Sequence, residues 1–132
     1  MKLKVLSSIR TNNFNDPEIM NKIKELWKEA SFKLENNNKS TYGVYHGYES
    51  DYQGDYSLSV CVKESDSDDI ELPENENYNV FRVDSSDEQG ILKAWEHIWK
   101  LEEAGELKRA YTYDFEKYYP NGDVEINIAV KE

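Results

Sequence analysis

Near the N-terminus Leu3, Val5 and Ser7 fall on every second position, the period of a strand. Asp16-Pro17-Glu18 follows, with Asp as a cap and Pro suited to a first helical position. Ile19, Ile23, Leu26, Trp27, Ala30 and Leu34 then recur at helical spacing and predict one apolar stripe through about residue 35, broken by Asn36-Asn37-Asn38. Tyr42 to Tyr48 and Tyr56 to Lys63 read as two strands joined by a turn through Ser50 to Gly54. In the second of these, Tyr56, Leu58, Val60 and Val62 share one face, and Ser57, Ser59 and Cys61 share the other. The unit is β-α-β-β.

The same order then recurs. Tyr78 to Val83 predicts a strand, and Ser85-Ser86-Asp87 supplies a cap. Ile91, Ala94, Trp95, Ile98 and Trp99 form a helical stripe that Gly105 stops. Arg109 to Tyr119 and Val124 to Val130 make a final hairpin, turned by Pro120-Asn121-Gly122. Sliding the chain on itself by 68 residues superposes Gly54-Asp55 on Gly122-Asp123 and Val62-Lys63-Glu64 on Val130-Lys131-Glu132. The same offset matches Leu58 with Ile126, Val60 with Ile128, Tyr45 with Tyr113, Ile23 with Ile91 and Trp27 with Trp95.

We therefore expect a single α+β domain over residues 1–132, built from a tandem pseudo-twofold duplication. Repeat one spans about 1–64, an acidic connector about 65–77, and repeat two about 78–132. An antiparallel sheet with both helices on one side leaves a cleft at the seam, a common place for a small ligand. The stretch from Glu64 to Asn77 carries seven acidic residues and one Pro, and reads as a solvated connector.

Charge narrows the partners. The formal net charge of −11 disfavours a surface that wraps nucleic acid or an anionic membrane, because both need clustered cations. An aromatic share of 13% nevertheless supplies the rings that a disordered acidic chain would lack. Neither a signal-peptide core nor a membrane-spanning apolar run is present, so the expected address is cytoplasmic. One cysteine, Cys61, and two histidines make neither a disulfide nor a closed zinc site, and no metal or cofactor is expected.

The segment Arg109 to Tyr119 carries the most chemistry. As a strand it places Tyr111, Tyr113 and Phe115 on one face, expected to pack under the helices, and Ala110, Thr112, Asp114, Glu116 and Tyr118 on the other. In an aromatic groove Glu116 would pay for burial of its charge unless a cation approached, and would attract a flat organic cation. On the outer face of the sheet it would merely be solvated. The 68-residue offset maps Glu116 onto Tyr48 and Asp114 onto His46, making both candidate wall residues, although a strand histidine is also an ordinary structural hydrogen-bonding group. Trp95 and Trp99 share a helical face; Trp95 suits the core, and Trp99 the groove edge. Ser57, Ser59 and Cys61 have no base assigned by sequence, so a nucleophilic triad is unsupported.

Tyr42-Gly43-Val44-Tyr45-His46-Gly47-Tyr48, Gly54-Asp55-Tyr56-Ser57-Leu58, Ala94-Trp95 with Ile98-Trp99, and the run from Arg109 to Tyr118 together resemble the GyrI-like small-molecule-binding family. That family is also met as the effector-binding domain of AraC-type and multidrug-responsive transcription regulators. The resemblance implies two β-α-β-β units around a ligand cleft, with the strand glutamate, Glu116 here, meeting cationic and often aromatic drugs. The chain has neither room nor basic charge for a helix-turn-helix and resembles free-standing members, so any regulatory partner is a separate, unknown chain. The expected function is capture of flat hydrophobic cations by Glu116, with Tyr48, Tyr118, Trp95, Trp99 and His46 around it. Two alternatives stay open. One is a hydrolase of electrophilic cyclopropane-bearing natural products, in which Glu116 activates water. The other is an acidic protein that inhibits a topoisomerase.

Overall fold

A computed structural model describes residues 1–34, 39–73 and 75–131. In chain order the elements are β1 (Lys2–Thr11), α1 (Ile19–Lys33), β2 (Thr41–His46), β3 (Tyr56–Lys63), β4 (Ile70–Glu71), β5 (Tyr78–Val83), α2 (Gly90–Glu103), β6 (Asp114–Tyr118) and β7 (Val124–Ala129). The seven strands form one curled antiparallel sheet in the order β4-β1-β3-β2-β6-β7-β5, so the two hairpins meet where β2 pairs with β6. The class is α+β.

The front face of the sheet carries the helices. Tyr56, Leu58 and Val60 of β3 pack with Leu26 and Ala30 of α1, while Ile126 and Ile128 of β7 pack with Trp95 and Ile98 of α2. The two helix starts are built alike. Asp16 Oδ1 accepts the Glu18 N–H at 2.9 Å and Asp16 Oδ2 pairs with Lys22 at 2.6 Å; Asp87 Oδ1 accepts the Gln89 N–H at 2.9 Å and Asp87 Oδ2 pairs with Lys93 at 2.6 Å. Each aspartate thus closes the turn before its helix, so the helices begin at Ile19 and Gly90. α1 ends at Lys33, and the Asn36-Asn37-Asn38 break lies outside the described residues.

The back face departs from expectation in three places. Leu3, Val5 and Ser7 do not share a face, because a bulge between Val5 and Ser7 turns Leu3 and Val5 to the back while Ser7, opposite Val60, faces α1 and donates to the Leu26 carbonyl. The acidic connector is not simply solvated. Ile70 and Leu72 are buried with Tyr42, Val44 and Phe115, and Ile70–Glu71 adds β4 to the sheet edge. Burying two large aliphatic side chains contributes about 1.5–3 kcal/mol each, enough to draw the segment in while Glu64, Asp66, Asp68, Asp69 and Glu71 stay exposed. Finally, β6 starts at Asp114 rather than Arg109. Tyr111 has φ 56°, a left-handed turn that ends any regular strand before it, and Arg109 makes only a single bridge to Val130. Phe115 consequently packs on the back face against Tyr42 and Tyr78, not under the helices.

The register also corrects the 68-residue correspondence. Leu58 and Ile126, which it matches, pair with Tyr45 and Glu116 respectively. The first hairpin is three residues longer, so Tyr45 and Glu116 correspond at an offset of 71, as do Asp16 and Asp87, which close the turns before the two helices. Gly43 opposes Glu116 across the β2–β6 junction, and Tyr45 opposes Asp114. Tyr48 lies beyond the end of β2 and is not the counterpart of Glu116; Tyr45 is.

Candidate functional site

Between the two helices and the front of the sheet lies a cavity of about 520 Å³ lined mainly by aromatic and aliphatic side chains. Its floor is the β2–β6 junction. Glu116 faces inward because strand alternation sends Phe115 to the back. The residue is 4% exposed. Its Oε2 accepts hydrogen bonds from Tyr45 Oη and Trp95 Nε1, each at 2.8 Å, and its Oε1 accepts one from Tyr118 Oη at 2.6 Å. The donors come from β2, α2 and β6, so the carboxylate ties one helix and both central strands together.

Those three donors are neutral. Burial first, and the Glu116 charge second, push the Tyr45 and Tyr118 hydroxyls well above the usual phenol range, so both remain protonated donors. No Lys or Arg among the described residues forms an ion pair with Glu116. The hydrogen bonds offset much of the desolvation of the carboxylate, but its charge is left without a counter-charge. Room for this arrangement comes from Gly43. A Cβ there would lie 3.2 Å from Glu116 Oε1 and 3.8 Å from the Tyr118 ring.

Rings build the walls. Trp27 meets Tyr118 edge-on with centroids 5.0 Å apart, and Trp95 meets Tyr45 at 5.0 Å. Towards one end Tyr52 stacks on Trp99 at 5.8 Å and 19°, with Phe14 against both. Of these, Tyr52 from the β2–β3 turn and Trp99 from α2 line the cavity, so residues distant in sequence meet at that end, with Phe14 from the loop before α1 packed against them.

A second buried cluster adjoins the first. The Arg109 side chain, 2% exposed, donates from Nη2 to Asp114 Oδ2 at 2.7 Å and to Tyr48 Oη at 3.3 Å, and from Nη1 to Glu102 Oε1 at 3.4 Å. Asp114 also accepts the Tyr48 hydroxyl and, through Oδ1, the Ala129 N–H at 2.8 Å. The guanidinium sits 4.4 Å from the Tyr111 ring centroid. Burial works against its charge, but Asp114 beside it more than compensates, and Arg109 is held above the usual guanidinium range.

Of the residues singled out by sequence, Glu116, Tyr48, Tyr118, Trp95 and Trp99 border the cavity. His46 does not. It points to the back of the sheet, where its Nε2 lies 2.8 Å from Ser59 Oγ and its ring stacks on Tyr113. Burial, then the Arg10 charge, lowers its pKa, so it is a neutral structural partner. Tyr45, Trp27, Tyr56, Tyr52 and Arg109 border the cavity too, and sequence reasoning missed them. Counting the longer first hairpin would have moved the match for Glu116 from Tyr48 to Tyr45. No comparable signal pointed to Arg109, which is brought in by the Tyr111 turn.

An aromatic cavity with a buried, uncompensated carboxylate, set in a seven-stranded antiparallel sheet with two helices, defines an effector-binding type of protein. Residues 5–130 match the family described as Cass2, integron-associated effector binding protein. The chain belongs to this GyrI-like, small-molecule-binding family. It is similar over 98% of its length to an integron cassette protein whose crystal structure comes from the mobile metagenome of Vibrio cholerae. The two share 28% identity at a TM-score of 0.69, and the match covers 95% of that chain. No curated protein matches the chain. No helix of the described residues is long and apolar enough to cross a membrane.

Proposed function

We propose that this protein captures flat, hydrophobic organic cations in the cavity at the junction of two duplicated β-α-β-β halves. The observation that carries the reading is the carboxylate of Glu116, a residue only 4% exposed, held by three neutral donors with no ion-pair partner among the described residues. A cation entering the cavity supplies the missing counter-charge where water screens it least. Trp27, Trp95, Tyr45 and Tyr118 offer ring faces and edges to the same ligand.

Both oxygens of Glu116 already accept hydrogen bonds, an arrangement suited to holding charge more than to taking a proton from water. The contact between Ser59 and His46 offers no alternative catalytic pair, because it lies behind the sheet with Ser59 1% exposed. Titration of tryptophan fluorescence with a cationic dye and a neutral analogue of equal shape tests the reading. Glu116→Gln is expected to weaken the dye about 10- to 100-fold and the neutral analogue hardly at all. Equal loss for both would remove the ion-pair account.

A further inference from the structure

We infer that the ligand carries an apolar substituent besides its cationic ring, and that Met20 on α1 and Leu92 on α2 hold this substituent at the rim of the cavity. This rests on the reading of Glu116 as the cation site and narrows the ligand class from flat cations to amphiphilic ones.

Large hydrophobic side chains left in water are ordinary when they stand singly, and Phe32 and Val80, which do not line the cavity, are of that kind. Met20 and Leu92 differ. They are 77% and 51% exposed, yet both border the cavity that contains Glu116. A residue that lines a cavity and still faces solvent lies at its opening, so each helix supplies one apolar lip. Glu88 and Gln89, also exposed and bordering the cavity, add polar neighbours on the α2 side.

The helices make these lips continuous with the floor. Positions i, i+3 and i+7 share one helical stripe, and Met20, Ile23 and Trp27 on α1, like Leu92, Trp95 and Trp99 on α2, all border the cavity. Ile23 and Trp27 are half-buried where Met20 is exposed, and Trp95 is buried one turn after Leu92. Both stripes reach the carboxylate: Trp27 packs on Tyr118, whose hydroxyl donates to Glu116, and Trp95 donates to it directly. A rise of 1.5 Å per residue sets Leu92 about 4.5 Å along its helix from Trp95, and Met20 about 10 Å along its helix from Trp27. A hydrocarbon chain on a cation at Glu116 thus meets apolar side chains from ring to lip, and the flexible thioether of Met20 adapts to its outline. Covering the lips removes from water the apolar surface that the free protein exposes.

N-methylquinolinium and N-hexylquinolinium share one cationic ring and differ only in the chain, so the ratio of their affinities tests the lips. Wild-type protein is expected to bind the hexyl probe at least about tenfold more tightly, as read by tryptophan fluorescence. Met20→Ser combined with Leu92→Ser, at exposed positions where folding tolerates substitution, should bring the ratio to within about threefold of one. Met1 and Met20 are the two methionines of the chain, so methyl NMR reads the α1 lip directly. The Met20 methyl resonance should move with the hexyl probe and stay nearly in place with the methyl probe. A wild-type ratio near one, a ratio that survives the double substitution, or a Met20 resonance that does not distinguish the probes would overturn the inference. Glu116→Gln should weaken both probes alike and leave their ratio intact. If it weakens neither, the cation reading fails, whereas the ratio in wild type and double variant still reports on the lips.

Discussion

Asp114 and Glu116 lie two residues apart on one strand, face the same way, and are both almost completely buried. Their surroundings differ in one respect. Asp114 has its cation inside the protein, at 2.7 Å in Arg109, whereas Glu116 has only hydroxyl and indole donors. A charge paired internally is structural, because removing either partner strands the other away from water. Under the proposed function, a charge hydrogen-bonded without a counter-ion is held ready for one that arrives with a ligand. Position on the strand therefore says little about role, and the nearest cation decides it.

The contrast is most directly broken at Asp114. Asp114→Ala leaves the buried Arg109 with only its longer pair to Glu102, at 3.4 Å, and is expected to cost about 3–5 kcal/mol in urea unfolding. Glu116→Gln, one step along the same face, should stay within about 1 kcal/mol of wild type, because it removes an uncompensated charge and keeps hydrogen-bonding capacity. If the two variants unfold at the same denaturant concentration, the distinction fails.

Gly43→Ala sharpens the comparison at smaller scale. Its Cβ would press on Glu116 Oε1 from 3.2 Å, with the Trp27 and Tyr118 rings next at 3.7 and 3.8 Å. Cation affinity should fall several-fold, by about 1 kcal/mol, with Tm nearly unchanged, as read by fluorescence titration and thermal melting. A Tm loss as large as that of Asp114→Ala would mean that Gly43 serves packing alone.

The smallest effect belongs to a half-buried carboxylate with its own cation, Asp16 with Lys22. Lys22 first, then Thr11, lower the Asp16 pKa from 3.8 to about 2. Its folded pKa lies below the unfolded one, so its contribution is complete above about pH 4 and fades as pH falls towards 2. Asp16→Asn is expected to lower Tm by a few degrees at most at pH 7, with the difference closing in melts taken near pH 2. A difference that persists there would assign the loss to the turn geometry and not to the charge.

Much of the architecture was legible in periodicity. The stripes Ile23, Leu26, Ala30 and Trp95, Ile98 mark the buried faces of the two helices, and Tyr56, Leu58 and Val60 mark the front of β3. Those readings hold because a burial period of two or 3.6 is imposed by backbone geometry at every turn. Glu116 stood out for a related reason, since alternation along its strand separates it from Phe115. The correspondence with Tyr48 failed because a fixed offset assumes equal loops, and three extra residues in the first hairpin shift the match to Tyr45. Ile70 and Leu72 were hidden among carboxylates, where local charge outweighs two apolar positions in any reading of composition.

Sequence by itself determined the order of the helices and of every strand but β4, the faces of the helices and of β3, and the separation of Glu116 from Phe115 onto opposite faces. All of these follow from short-range geometry, which did not determine which of those two faces lay under the helices. Tertiary structure alone decided which carboxylate received a cation. Arg109 reaches Asp114 only because Tyr111 turns the chain, and Glu116 meets Tyr45 and Trp95 only because β2 pairs with β6 under α2. Such pairings depend on groups brought together from distant positions, and electrostatic energy in a buried site is governed by those few ångströms.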